Sequence, residues 1–111
     1  MIQVKLSLSK DGLLLSCNAE GHACYAPKGK DIVCAGVTTL LKTVLIQLEE
    51  KDGLGLHTEK DKRGSLAFRV LSEDLSVHAV FLTYAADFLL KGLQSLEKEY
   101  PLHVSVRVVT E

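Results

Sequence analysis

Two segments of the chain carry residue types capable of covalent chemistry. Gly21-His22-Ala23 sets an imidazole just before a stretch without periodicity, and Gly29-Lys30-Asp31-Ile32-Val33-Cys34-Ala35-Gly36-Val37-Thr38 sets a thiol near the start of an apolar, helix-spaced run. A thiolate attacks carbonyls readily, and an imidazole beside it can take the thiol proton and later deliver it to a leaving amine, a contribution of roughly 10²–10⁴-fold. With Asp31 as N-cap, Cys34 is the third helical residue. Backbone N–H groups in that first turn lack intrahelical partners and sum to a positive partial charge, which favours the thiolate. The same groups could serve as an oxyanion hole. Gly21 and Gly29 permit unusual backbone angles at the two ends of the loop, and Gly36 leaves room for a substrate backbone. Thr38 lies one helical turn beyond Cys34, and Ala35 adjoins it. Against this stands an ordinary reading: a cysteine early in an apolar helix is usually a small buried hydrophobe, and a histidine at a strand end a surface residue. A Cys and a His a dozen residues apart have no specificity by spacing alone.

The elements that must hold these residues are legible from periodicity. Ile2, Val4, Leu6 and Leu8 alternate with polar residues, as in a strand with one buried face. Ser9-Lys10-Asp11-Gly12 reads as a hairpin turn, followed by a strand from about Leu13 with Leu13, Leu15, Cys17 and Ala19 facing the core. Gly21 to Lys30 is a loop. The spacing of Val37, Leu40, Leu41, Val44, Leu45 and Leu48 predicts a helix from about Ile32 to Lys51. The charged stretch from Leu54 to Gly64 has room for a short extra strand before a turn at Asp61-Lys62-Arg63-Gly64, and Leu66, Phe68 and Val70 mark a third main strand. Ser72 or Asp74 can cap a second helix running to about Glu99, with Val77, Val80, Phe81, Tyr84, Phe88 and Leu96 in helical phase. Its aromatic stripe suits core or dimer packing. Pro101 stops that helix, and Leu102, Val104, Val106 and Val108 form a last strand suited to lie against the first hairpin. The expected fold is α+β: a two-layer sandwich with two helices packed on one face of a mostly antiparallel sheet of four or five strands.

The 111 residues, 47% of them hydrophobic, suffice for one domain with one core, read as 1–111. Thirteen Lys and Arg against 14 Asp and Glu leave no basic field for a nucleic-acid backbone, so direct nucleic-acid binding is disfavoured. Met1 to Leu6 lacks a charged leader, and no later stretch reads as long and apolar enough to span a bilayer, so a cytoplasmic protein with no membrane association is expected. Cys17, Cys24 and Cys34 are an odd set without the spacing of a disulfide framework, which suits a reducing compartment.

The two motifs closely resemble those of the ribosomal-processing cysteine protease family of bacteria, whose members carry Gly-His-Ala and then Gly-x-Asp-Ile-Val-Cys-Ala-Gly-Val-Ser. The size of the chain and its order of elements are similar as well. The resemblance implies that His22 and Cys34 are the catalytic dyad, and that a flexible loop between them closes over the substrate. It also implies a homodimer. The implied substrate is the short hydrophobic N-terminal extension of large-subunit ribosomal protein twenty-seven, removed before or during ribosome assembly. Thr38 stands where the family usually has Ser, keeping the hydroxyl while a methyl narrows the site.

Asp31 has two readings, a helix cap or a third group orienting His22, and the cap is favoured. Cys24 is a passive loop residue or a redox partner for Cys34. Metal binding is disfavoured, since the cysteines form no closely spaced pair and Cys17 faces the core, and no cofactor is expected. His57, His78 and His103 adjoin no nucleophile signal and are expected at the surface or its boundary. Gly21, Asp31, Ala35, Gly36 and Thr38 make up the supporting or substrate-binding set. Two other functions would use the same sequence features: a noncatalytic ribosome-assembly interaction module, and a thiol redox sensor.

Overall fold

Alternating apolar residues build the sheet. In the computed structural model, which describes residues 1–27, 29–59, 64–71 and 75–111, the strands are β1 (Ile2–Leu8), β2 (Leu14–Glu20), β3 (Leu56–Glu59), β4 (Ser65–Val70) and β5 (Val104–Thr110). The helices are α1 (Ile32–Glu49) and α2 (Ala79–Glu99), the latter preceded by a single 3₁₀ turn, Ser76–His78. The expected turn residues Asp61, Lys62 and Arg63 and the expected caps Ser72 and Asp74 lie outside the described residues. The sheet order is β3-β4-β2-β1-β5, antiparallel throughout except for β5, which runs parallel to β1. Ile2, Val4, Leu6, Leu14, Cys17, Ala19, Phe68, Val70 and Val104 are buried in the sheet's contribution to the core. Gln3, Lys5, Asn18, Glu20 and Arg69 alternate with them and are exposed. The α+β two-layer reading therefore holds.

The second strand departs from its expected register. Ser7 pairs with Ser16 and Leu8 with Leu14, which leaves Leu15 as the extra residue of a β-bulge. A bulge reverses the inward and outward alternation beyond it. Leu14 is accordingly fully buried, whereas the expected inward residues Leu13 and Leu15 are half-buried. Cys17 and Ala19, on the near side of the bulge, point inward as expected.

Helix α1 buries Val33, Val37, Leu41, Val44, Leu45 and Leu48. By length and composition it is apolar enough to cross a membrane, contrary to the sequence expectation that no stretch is. Its leucines and valines are instead the helical half of the core. On α2 the buried face is Leu82, Ala85, Ala86, Leu89 and Leu93, so of the two readings of the aromatic stripe, core or dimer packing, the core reading does not hold for Tyr84 and Phe88. Val77, Val80, Tyr84 and Phe88 are 78%, 72%, 70% and 53% exposed. Leu82, Leu89 and Leu93 fill the face that meets the core, with Ala85 and Ala86 between them, and the aromatic residues fall on the opposite face. Phe81 is half-buried at the boundary, where the Lys51 ammonium lies 4.5 Å from its ring centre. The helices meet through their glycines: a Cβ on Gly92 would lie 2.9 Å from both Leu40 methyls, and one on Gly36 would lie 3.5 Å from those of Leu96.

The bulge makes a testable distinction. Truncating the buried Leu14 to Ala should cost about 2–5 kcal/mol of folding stability in urea denaturation. Leu15→Ala should cost clearly less, and equal losses would place the bulge elsewhere.

Candidate active site

The site forms where β2 ends, a loop follows, and α1 begins. The Asp31 backbone is extended (φ −86°, ψ 99°), and its carboxylate caps the helix: Oδ1 accepts the N–H groups of Val33 (3.0 Å) and Cys34 (2.9 Å). Its other oxygen, Oδ2, accepts the N–H groups of Tyr25 (3.0 Å) and Ala26 (3.3 Å) in the loop. Partial burial pulls the Asp31 carboxyl up, but the N–H bonds from Cys34, Tyr25, Ala26 and Val33 outweigh it and hold the group below the ordinary carboxylate value. Asp31 is thus a cap, as favoured, with both oxygens engaged by backbone.

That capping corrects one expectation. The N–H groups of Val33 and Cys34 were to serve as an oxyanion hole, yet both are taken by the Asp31 carboxylate, whose charge also offsets the positive helix end. The hydrogen bond reaching the Cys34 sulfur comes from the loop instead, where the Ala23 N–H donates to Sγ at 3.3 Å. Cys34 itself is half-buried. Cys17 is the contrasting thiol, sealed beneath the helices and pushed by burial up to about 12.

A groove of about 940 Å³ opens at Cys34, lined also by Cys24, Ala35 and Thr39. A second hollow of about 510 Å³ also reaches Cys34, between α1 and the ends of β2 and β4, lined by Gly21, Leu41 and Leu66. His22, Cys34 and Thr38 border both. Gly21, with φ +98°, has no room for a side chain, because a Cβ would collide with the Met1 carbonyl oxygen. Gly36 does not line the groove: it faces Leu96 of α2, so the space it leaves is used by helix packing rather than by a substrate backbone.

Residues distant in sequence complete the site. Gly64, at φ +77°, lies under the His22 ring, where a Cβ would come within 2.7 Å of Nε2 and 2.8 Å of Cε1. Its carbonyl accepts the Gly21 N–H at 2.8 Å, which ties the start of β4 to the histidine segment. His103 was expected at the surface or boundary. It is half-buried, 2.7 Å through Nδ1 from the Ala23 carbonyl, and Tyr25 meets it edge-on at 5.3 Å between ring centres. Tyr25 also meets Tyr100 edge-on at 5.3 Å. No local pattern could announce these residues, because Ala23 and His103 are 80 positions apart. His57 does lie exposed at the surface, beside Glu59.

A half-buried thiol heading a helix, a histidine bordering the same groove, and two hollows that share both residues describe a cysteine peptidase. The chain belongs to the cysteine protease Prp family, whose model matches residues 1–105. A ribosomal processing cysteine protease of Mycoplasma genitalium is 27% identical over 103 residues, 93% of each chain. That of Bacillus subtilis is 46% identical over 41 residues, a match spanning 37% of each chain. Among solved structures, one from Streptococcus mutans is 27% identical, with a TM-score of 0.78 over 100% of this chain and 96% of that one. The essential ribosomal processing protease of Staphylococcus aureus, with a covalently linked product peptide, shares the fold at 23% identity and TM-score 0.83, over 98% of this chain and 100% of its own.

The cap leads to a pH prediction. The folded-state Asp31 carboxyl ionises more readily than a free one, so its stabilisation is complete above the unfolded value of about 3.9 and fades as pH falls through the lower folded value. Asp31→Ala should cost about 0.5–2 kcal/mol near neutrality. The gap in melting temperature from wild type should narrow below about pH 4; a gap constant down to acid would contradict the charge-assisted cap.

Proposed function

We propose that this chain acts as a single-domain endopeptidase in which Cys34 is the nucleophile and His22 its general base and acid. The observation that carries this is the pair of hollows that share Cys34, His22 and Thr38 on their borders. An extended peptide crossing α1's first turn would present a carbonyl carbon to Sγ. His22 takes the thiol proton as the C–S bond forms. The tetrahedral intermediate collapses with loss of the C–N bond, and the imidazolium gives that proton to the departing amine. Water, deprotonated by His22, then attacks the thioester, the C–S bond breaks, and the thiol is restored.

The proposed substrate is the N-terminal extension of large-subunit ribosomal protein twenty-seven. Support comes from the relatives named as ribosomal processing proteases and from the S. aureus enzyme, solved also with a substrate peptide. The proposed setting is the cytoplasm, where ribosomal proteins are made and a working thiol stays reduced. Cys34→Ala should abolish cleavage of a peptide spanning that extension, and His22→Ala should lower turnover by about 10²–10⁴-fold. Iodoacetamide near neutral pH should modify Cys34 well before Cys17, as read by peptide mass spectrometry. Equal cleavage by wild type and Cys34→Ala would exclude the assigned nucleophile.

A homodimer belongs to the same proposal. The outward face of α2 with Val80, Tyr84 and Phe88, together with Val77 in the turn before it, is the apolar surface that a second copy would cover. Tyr84→Lys with Phe88→Lys should shift sedimentation from dimer to monomer while leaving the fold intact. An unchanged dimer would assign the contact to another face.

A further inference from the structure

Ala23 sits between two side chains that approach it from opposite ends of the chain. Its N–H donates to the Cys34 sulfur at 3.3 Å, and its carbonyl oxygen lies 2.7 Å from His103 Nδ1. A carbonyl only accepts, so Nδ1 carries the proton and the imidazole is the donor. His103 is itself fixed by backbone: its N–H donates to the Tyr100 carbonyl (2.9 Å), and its own carbonyl accepts the Ile2 N–H (2.9 Å). The donor therefore stands on the short turn that joins α2 to β5, tied by backbone to the end of α2 and the start of β1. Ala23 is 1% exposed, so water does not compete for the geometry.

We infer that His103 is a positioning residue for the nucleophile, acting through Ala23. By holding the Ala23 carbonyl, it fixes the orientation of the residue whose N–H points at Sγ, and that N–H aims the sulfur. The Tyr25 ring, edge-on to His103 with an interplanar angle of 88°, keeps the next part of the loop over the same junction. This inference rests on Cys34 being the nucleophile. The two ideas nevertheless separate experimentally, because thiol alkylation requires no particular substrate.

Three variants divide the ring from the hydrogen bond. His103→Asn keeps an N–H donor near the Nδ1 position but loses the ring, His103→Phe keeps the ring but loses the donor, and His103→Ala loses both. The readouts are the rate of Cys34 modification by iodoacetamide as a function of pH and the cleavage of the leader peptide, with melting temperature recorded for each variant. The inference expects Asn to stay within about twofold of wild type. It expects Phe and Ala to lose about tenfold in kcat, the scale of one lost hydrogen bond, with KM little changed and Cys34 alkylated more slowly. Phe behaving as wild type would overturn it, as would equal impairment of Asn and Phe, or a fall in melting temperature with alkylation unaltered. Cleavage persisting in Cys34→Ala would instead overturn the nucleophile assignment, whatever the His103 variants do.

Discussion

One carboxylate joins the two segments on which the site depends. Asp31 receives backbone N–H groups from the first turn of α1 with one oxygen and from the loop at Tyr25 and Ala26 with the other. Each of these donors would otherwise be an orphan of a helix end or an irregular loop. Meeting at one charged group, they set the angle at which the loop leaves the helix, and so the distance between Ala23 and the Cys34 sulfur. A cap that served the helix alone would leave the loop undetermined.

The same arrangement carries a chemical trade-off. A helix N-terminus favours an anion most when its amides are free. Here the amides of Val33 and Cys34 are bonded to a negatively charged side chain, so the sulfur draws its N–H contact from the loop. The environment of the proposed nucleophile is therefore set by loop conformation as much as by the helix. His22 is governed in a similar way from outside its own segment, by the absence of a side chain at Gly64.

The sandwich beneath supplies rigidity. β1 and β2 occupy the middle of the sheet, and β2 delivers His22 from its end while the buried valines and leucines of α1 hold Cys34 at the sheet's border. The small residues Gly36, Ala85, Ala86 and Gly92 allow the helices to lie close to each other and to the sheet. Leu82, Leu89 and Leu93 fill the inner face of α2 while Val80, Tyr84 and Phe88 lie on its outer one, so a well-filled core and an exposed apolar face occur in one helix.

Local rules sufficed for much of this. Alternation located the main strands, the 3.6-residue period and Asp31 located the start of α1, Asp-Gly marked the first hairpin, and the Gly-His-Ala and Asp-Ile-Val-Cys segments pointed to cysteine protease chemistry only through their resemblance to a known family. These features are written in neighbours a few positions apart. The bulge at Leu15, the outward turn of Tyr84 and Phe88, and the loss of Gly36 to helix packing depend instead on which surfaces meet, because an apolar residue carries no mark of which of two neighbouring faces will be covered. Gly64 beneath His22 and His103 behind Ala23 are of the same kind. Their contacts join the ends of separate elements across the finished sandwich, and no periodicity in a linear chain encodes a distance that exists only after it has closed.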